Sequence, residues 1–150
     1  SLKAYYDGVP TDAATEKPNA IVVNQQSTPL NKAIVASEGD YYNVYFFNDA
    51  DAIANDTARA DLSLKILKSE AQGDIVPFTN DGTGESLVIT YNGETYDKES
   101  VSGDTPNANG GNASMTLDGD QLNITSTVFA AVKEGKHDIK THFKGKAVVL

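Results

Sequence analysis

Gln121–Leu150 reads QLNITSTVFAAVKEGKHDIKTHFKGKAVVL, and this stretch decides the fold class. Leu122, Ile124 and Val128 share one parity, against Asn123, Thr125 and Thr127 on the other. Near the end, Ile139, Phe143, Ala147 and Val149 alternate with Lys140, His142, Lys144 and Lys146. A period of two describes a strand with one dry face and one wet face. On a helix the four basic residues would spread around the cylinder, so the pattern argues for strands. Gly135 sits in the connection, where a turn can use its positive φ. The expectation is two antiparallel strands with a cationic outer face. Ile139, Phe143 and Val149 should be buried, and Lys140, Lys144 and Lys146 exposed.

Working outward, alternation and turn chemistry recur. Leu87–Tyr91 (LVITY) meets Asn92-Gly93 and then ETY, the strongest short hairpin signal. Asp118-Gly119 predicts a second two-residue hairpin between Met115–Leu117 and Leu122. Type I′ geometry is expected at both. Tyr41–Phe47 (YYNVYFF), after the turn Gly39-Asp40, is apolar on both parities, which suits a central strand. Ala20–Asn24, Lys32–Ala36 and Leu62–Leu67 read as further strands, with Leu62, Leu64 and Ile66 inward. Pro77 demotes Asp74–Thr79 to an edge. Gln25–Asn31 is polar and holds Pro29, and Val101–Asn112 reads as a flexible loop. The total is roughly eight to ten short strands, with no clear helix and no internal repeat.

Composition narrows the function. The chain has 150 residues, enough for one domain with a real core. Its net charge of −9 argues against nucleic acid, which needs a basic footprint. There is no cysteine, so disulfides, thiolate metal sites and thiol catalysis are excluded. No stretch approaches the roughly eighteen apolar residues of a membrane span. Ser1 reads like the start of a mature or trimmed chain.

Ser1–Tyr6 alternates, with Leu2, Ala4 and Tyr6 on one face, and Asp7–Asn19 follows as a polar spacer. Residues 1–19 are therefore read as an N-terminal strand and linker, and residues 20–150 as the sandwich. The N-terminal strand either pairs within its own chain or is donated to a neighbour.

Candidate chemistry is sparse. His137 and His142 fall on opposite parities, which argues against a shared metal or relay. Gly84-Glu85-Ser86-Leu87-Val88 lacks the second glycine of a nucleophile elbow. No glycine loop precedes a lysine and a helix, as a phosphate loop requires. No enzyme activity and no cofactor are expected. Asp49, Asp51, Asp56 and Asp61 lie between two predicted strands and are the candidate metal ligands. Calcium is the cation such oxygen ligands suit, although the EF-hand spacing fails. A solvated loop that keeps an edge soluble is the simpler explanation of them. Three N-x-S/T sequons place candidate glycosylation at Asn55, Asn112 and Asn123.

Glu38–Leu67, with its Gly-Asp turn, alternating strand, acidic loop and second alternating strand, resembles microbial surface immunoglobulin-like domains. The order of Leu2–Gly8, Asn43–Leu67, Leu87–Tyr96 and Leu122–Leu150 resembles class 5 chaperone–usher fimbrial (pilus) subunits. The resemblance implies an all-β, immunoglobulin-like antiparallel β-sandwich at the cell surface, completed by strand donation. It implies a structural or adhesive subunit of an extracellular filament, polymerising with copies of itself through β-strand complementation. Such a subunit would meet a host or cell-surface receptor, and its mature chain would not insert into a membrane. The alternative is a monomeric surface module that binds carbohydrate or protein.

Overall fold

In the computed structural model, residues 17–78, 85–97, 110–129 and 138–150 are described. Leu2, Ala4, Tyr6, Gly135 and His137 lie outside these residues. Among the described residues there are twelve strands: β1 (Ala20–Val23), β2 (Gln26–Pro29), β3 (Lys32–Glu38), β4 (Tyr41–Phe47), β5 (Leu62–Leu67), β6 (Val76–Pro77), β7 (Leu87–Tyr91), β8 (Glu94–Tyr96), β9 (Gly111–Asp118), β10 (Gln121–Val128), β11 (Ile139–Lys146) and β12 (Val148–Val149). Two short 3-10 turns, Ala54–Arg59 and Lys68–Glu70, complete them. Sheet one has the order β2-β1-β11-β10-β9-β6, and sheet two β12-β3-β4-β5-β7-β8. The chain is an all-β sandwich. Every pair is antiparallel except β12 with β3, which is parallel.

The alternation read in the sequence builds the core. Leu122, Ile124 and Val128 from β10, and Ile139 and Phe143 from β11, point inward. They meet Val35, Val44, Phe46, Leu62, Leu64, Ile66, Leu87 and Ile89 from sheet two. Phe46 and Phe143 pack ring against ring across the sheets, centroids 5.8 Å apart at 46°. Burying one such side chain is worth about 1.5–3 kcal/mol. Lys140, Lys144 and Lys146 are exposed, as the parity requires. Asp138 and Asp120 stand 4.0 and 3.8 Å from the amines of Lys140 and Lys146, so the cationic face is partly neutralised.

Val149 departs from the expectation and is 45% exposed. The strand does not continue through it. The chain leaves sheet one at Lys146, crosses at the buried Ala147, and joins sheet two as β12. One connecting residue leaves no room for a reversing turn, so the chain bends around a corner of the sandwich. Parity inherited from β11 therefore ends at Ala147. Leu30-Asn31 makes a second crossing, from β2 into β3, with Leu30 3% exposed.

The hairpins are mostly where expected. Asn92 (φ +53°) and Gly93 (φ +78°) give the two left-handed centres of a type I′ turn. The second hairpin is shifted by one residue. Asp118 is the last residue of β9, and Gly119-Asp120 form the loop. Only Gly119 has positive φ there, the type II′ signature with glycine first. Gly39-Asp40 repeats that device between β3 and β4. The polar segment Gln25–Asn31, in which the sequence reading names no strand, contains β2. Its turn, Asn24-Gln25, places both residues at positive φ without a glycine. Asn112, expected in a loop, belongs to β9.

β4 lies in the interior of sheet two, as its composition suggested, with Val44 and Phe46 buried on one face and Phe47 on the other, where Tyr41, Asn43 and Tyr45 are half-buried. Behind it, Ile34, Phe47 and Ala52 form a second, smaller core with Tyr45 and Ala60. The segment between β4 and β5 folds over the outer face of sheet two and seals this cluster.

Candidate binding groove and sheet edges

The four candidate metal ligands are held in the segment between β4 and β5. Asp49 Oδ1 accepts the Asp51 N–H at 2.9 Å, and Asp56 Oδ2 accepts the Ile53 N–H at 3.3 Å. Asp56 also pairs with Arg59 at 3.3 Å. Asp61 Oδ2 accepts the Asn48 N–H at 2.7 Å. These are local bonds of the kind that shape turns. Among the described residues, no group of three or more acidic or histidine side chains is arranged to hold a metal. Of the candidate glycosylation sites, Asn55 and Asn123 are exposed, and Asn112 is half-buried within β9. His142 Nδ1 lies 3.2 Å from Thr125 Oγ1 across the β10–β11 pair. Ser86, tested above as a nucleophile, is 1% exposed. Substrate has no route to it.

The tyrosines of β4 are engaged locally. Tyr41 donates its hydroxyl to the Glu85 carbonyl at 2.9 Å, and Lys65 Nζ lies 4.5 Å from its ring centroid. Lys68 Nζ lies 5.5 Å from the Tyr42 ring. Tyr45 packs on the smaller core.

A groove of about 500 Å³ opens beside the Asn92-Gly93 hairpin. Its floor reaches Ile21 between the sheets, and Thr28 of β2 forms one wall. The 3-10 turn supplies Thr57 and Ala58; Ala60 and Asp61 follow. β5 and β7 add the paired Ser63 and Thr90, then Tyr91. Among the described residues, no lysine or arginine lines it. Sequence reading missed this site, because its residues come from segments up to seventy positions apart. The one local signal was the Asn-Gly hairpin that forms its rim.

The sheet edges differ from one another. Both edges of sheet one carry a proline, Pro29 on β2 and Pro77 on β6. Leu30 donates its N–H to Asn19 O, so by alternation the Pro29 position is directed away from β1. Proline has no N–H to offer there. Asn48 Nδ2 caps the Pro29 carbonyl at 2.7 Å, and Asn31 Nδ2 caps Asn48 O at 2.8 Å. Sheet two ends differently, at β12. Leu150 donates its N–H to Val35 O, which directs the amide of Val149 away from β3. Val148, Val149 and Leu150 are 41%, 45% and 60% exposed. Among the described residues, this edge, Val148 to Leu150, has neither a proline nor a charged side chain.

Among the described residues, no helix is long and apolar enough to cross a membrane. No family model, curated protein or solved structure matches the chain.

Proposed function

We propose that this chain is a subunit of an extracellular filament, structural or adhesive, that assembles with copies of itself by β-strand addition. The observation that carries the reading is the contrast between edges. Sheet one is guarded by Pro29 and Pro77, while the β12 edge of sheet two leaves Val148, Val149 and Leu150 uncovered. An unguarded apolar edge in water invites another strand, which supplies backbone partners and covers side chains together. The alternating segment Leu2, Ala4, Tyr6 of a neighbouring copy is the proposed occupant, as the fimbrial resemblance suggests. Because the donated strand and the accepting edge are different surfaces, the contact is head to tail, and it builds a fibre when its rotation closes no ring.

Light scattering and electron microscopy of the purified chain test this. Polymers or concentration-dependent oligomers are expected. Deleting Ser1–Tyr6 should give a folded monomer. Val149→Pro should do the same, since it removes an outward N–H and leaves the Leu150–Val35 bond in place. A full-length chain that stays monomeric at every concentration rules the proposal out, as does a Val149→Pro chain that still polymerises.

A second reading, a monomeric surface module binding carbohydrate or protein, is favoured by the polar groove beside the Asn92-Gly93 hairpin.

A further inference from the structure

We infer that the groove between β2, the 3-10 turn and the β7–β8 hairpin is a binding site for a neutral saccharide. It names a ligand class for the groove and does not depend on self-assembly.

Size comes first. A volume of about 500 Å³ falls within the range of small-molecule sites. The lining decides the chemistry. Four hydroxyl side chains, Thr28, Thr57, Ser63 and Thr90, face the groove. A hydroxyl both donates and accepts, as do the hydroxyls of a sugar. Asp61 is pinned through Oδ2 by the Asn48 N–H at 2.7 Å. Its second oxygen can accept from a sugar hydroxyl without a rotamer search. Asn92 is fixed in a type I′ turn, and its side-chain amide brings donors and an acceptor to the rim.

Tyr91 provides the apolar element. Its ring packs against the core, and the residue stands in the groove's lining. An anchored ring presents a flat apolar surface at little entropy cost, and the C–H face of a pyranose is a flat apolar surface. Ile21, 2% exposed, closes the floor.

Charge selects against other ligands. With Asp61 in the wall and no lysine or arginine among the described residues, the groove disfavours carboxylate, sulfate and phosphate groups. A polyamine would be attracted to a single carboxylate only, while the hydroxyl-rich remainder of the wall gave it little. Neutral polyhydroxylated ligands use the whole lining.

The test is amide chemical-shift mapping on the full chain. The probes are neutral gluco-, galacto- and manno-configured oligosaccharides, with oligo-uronates and spermidine as charged comparators. At least one neutral series should shift the amides of Thr57, Ser63 and Asn92, with a Kd of about 0.1–1 mM. Thr57→Lys, on the surface turn, should weaken that binding by roughly tenfold or more while the remaining spectrum stays folded. Tyr91→Phe, which keeps the ring, should retain it. The inference is overturned if no neutral sugar moves those amides at about 10 mM. It is equally overturned if only uronates or spermidine do so, or if Thr57→Lys binds unchanged.

Discussion

Gly111 starts β9 at φ +103°, opposite Val128, and a Cβ added there would run into the Thr127 carbonyl. Strain and overpacking combine at this position. Gly111→Ala should cost roughly 3 kcal/mol or more, read as a lower denaturation midpoint at unchanged m. Gln25 makes the opposite case. It occupies φ +77° in a type I′ turn, where glycine is at ease. Gln25→Gly should stabilise the chain by about 0.5–1 kcal/mol, since relief of left-handed strain outweighs the added unfolded-state freedom. Inside sheet one, Ser126 and Thr141 face each other across β10 and β11, 1% and 2% exposed. Neither hydroxyl finds a hydrogen-bond partner. A buried hydroxyl without a partner is costly, and valine has nearly the shape of threonine. Thr141→Val should therefore raise stability by about 1 kcal/mol in a urea melt. A loss of stability on that exchange would mean the hydroxyl is satisfied after all.

At the scale of elements, the segment between β4 and β5 is a lid over the smaller core. Asn48 ties it down twice, giving its N–H to Asp61 and its Nδ2 to Pro29 O. Asn48→Ala loses the second tie and should cost about 1 kcal/mol, a fall of roughly 2–4 °C in Tm. Faster amide exchange should be confined to the segment, because sheet two keeps its own ladder. The same scale explains what was legible in the sequence. Alternation located β5, β7, β10 and β11, since each keeps one face in a single core along its length, and an apolar run on both parities located β4. Asn92-Gly93 located its hairpin because both centres need φ > 0. β2 was missed because Gln25 is an unusual residue for that geometry, and it hid the turn. Gly119 was placed one position off because Asp-Gly and Gly-Asp are both turn signals, and Asp118-Gly119-Asp120 contains both. Val149 was placed inside because parity predicts burial only while a strand stays in one sheet. Nothing in the periodicity around Ala147 announces the corner. The groove was hidden for a related reason: Thr28, Asp61 and Thr90 become neighbours only after both sheets have formed.

The whole molecule is knitted by its ends. β1 pairs with β11, and Asn19 exchanges two hydrogen bonds with the Lys144 backbone, at 2.9 and 3.2 Å, across 125 residues. β2 runs on into β3 and β11 into β12, so each sheet borrows a strand from the chain that builds the other. Neither sheet can leave without stripping the Phe46–Phe143 contact and the corners at Leu30 and Ala147. Unfolding should consequently be a single event. Tyrosine fluorescence, weighted toward β4 in sheet two, and far-UV circular dichroism should give one coincident urea transition. Refolding should be slow, on the order of milliseconds to seconds, because the β1–β11 pairing must close most of the chain before it is rewarded. Stopped-flow mixing checks the rate. The deciding variant is Asn19→Ala, which removes both ties to Lys144. It should lower stability by about 1–2 kcal/mol and move both probes together. Separation of the fluorescence and dichroism transitions, in the parent chain or in this variant, would show that the sheets fold as independent halves and that the corners do not couple them.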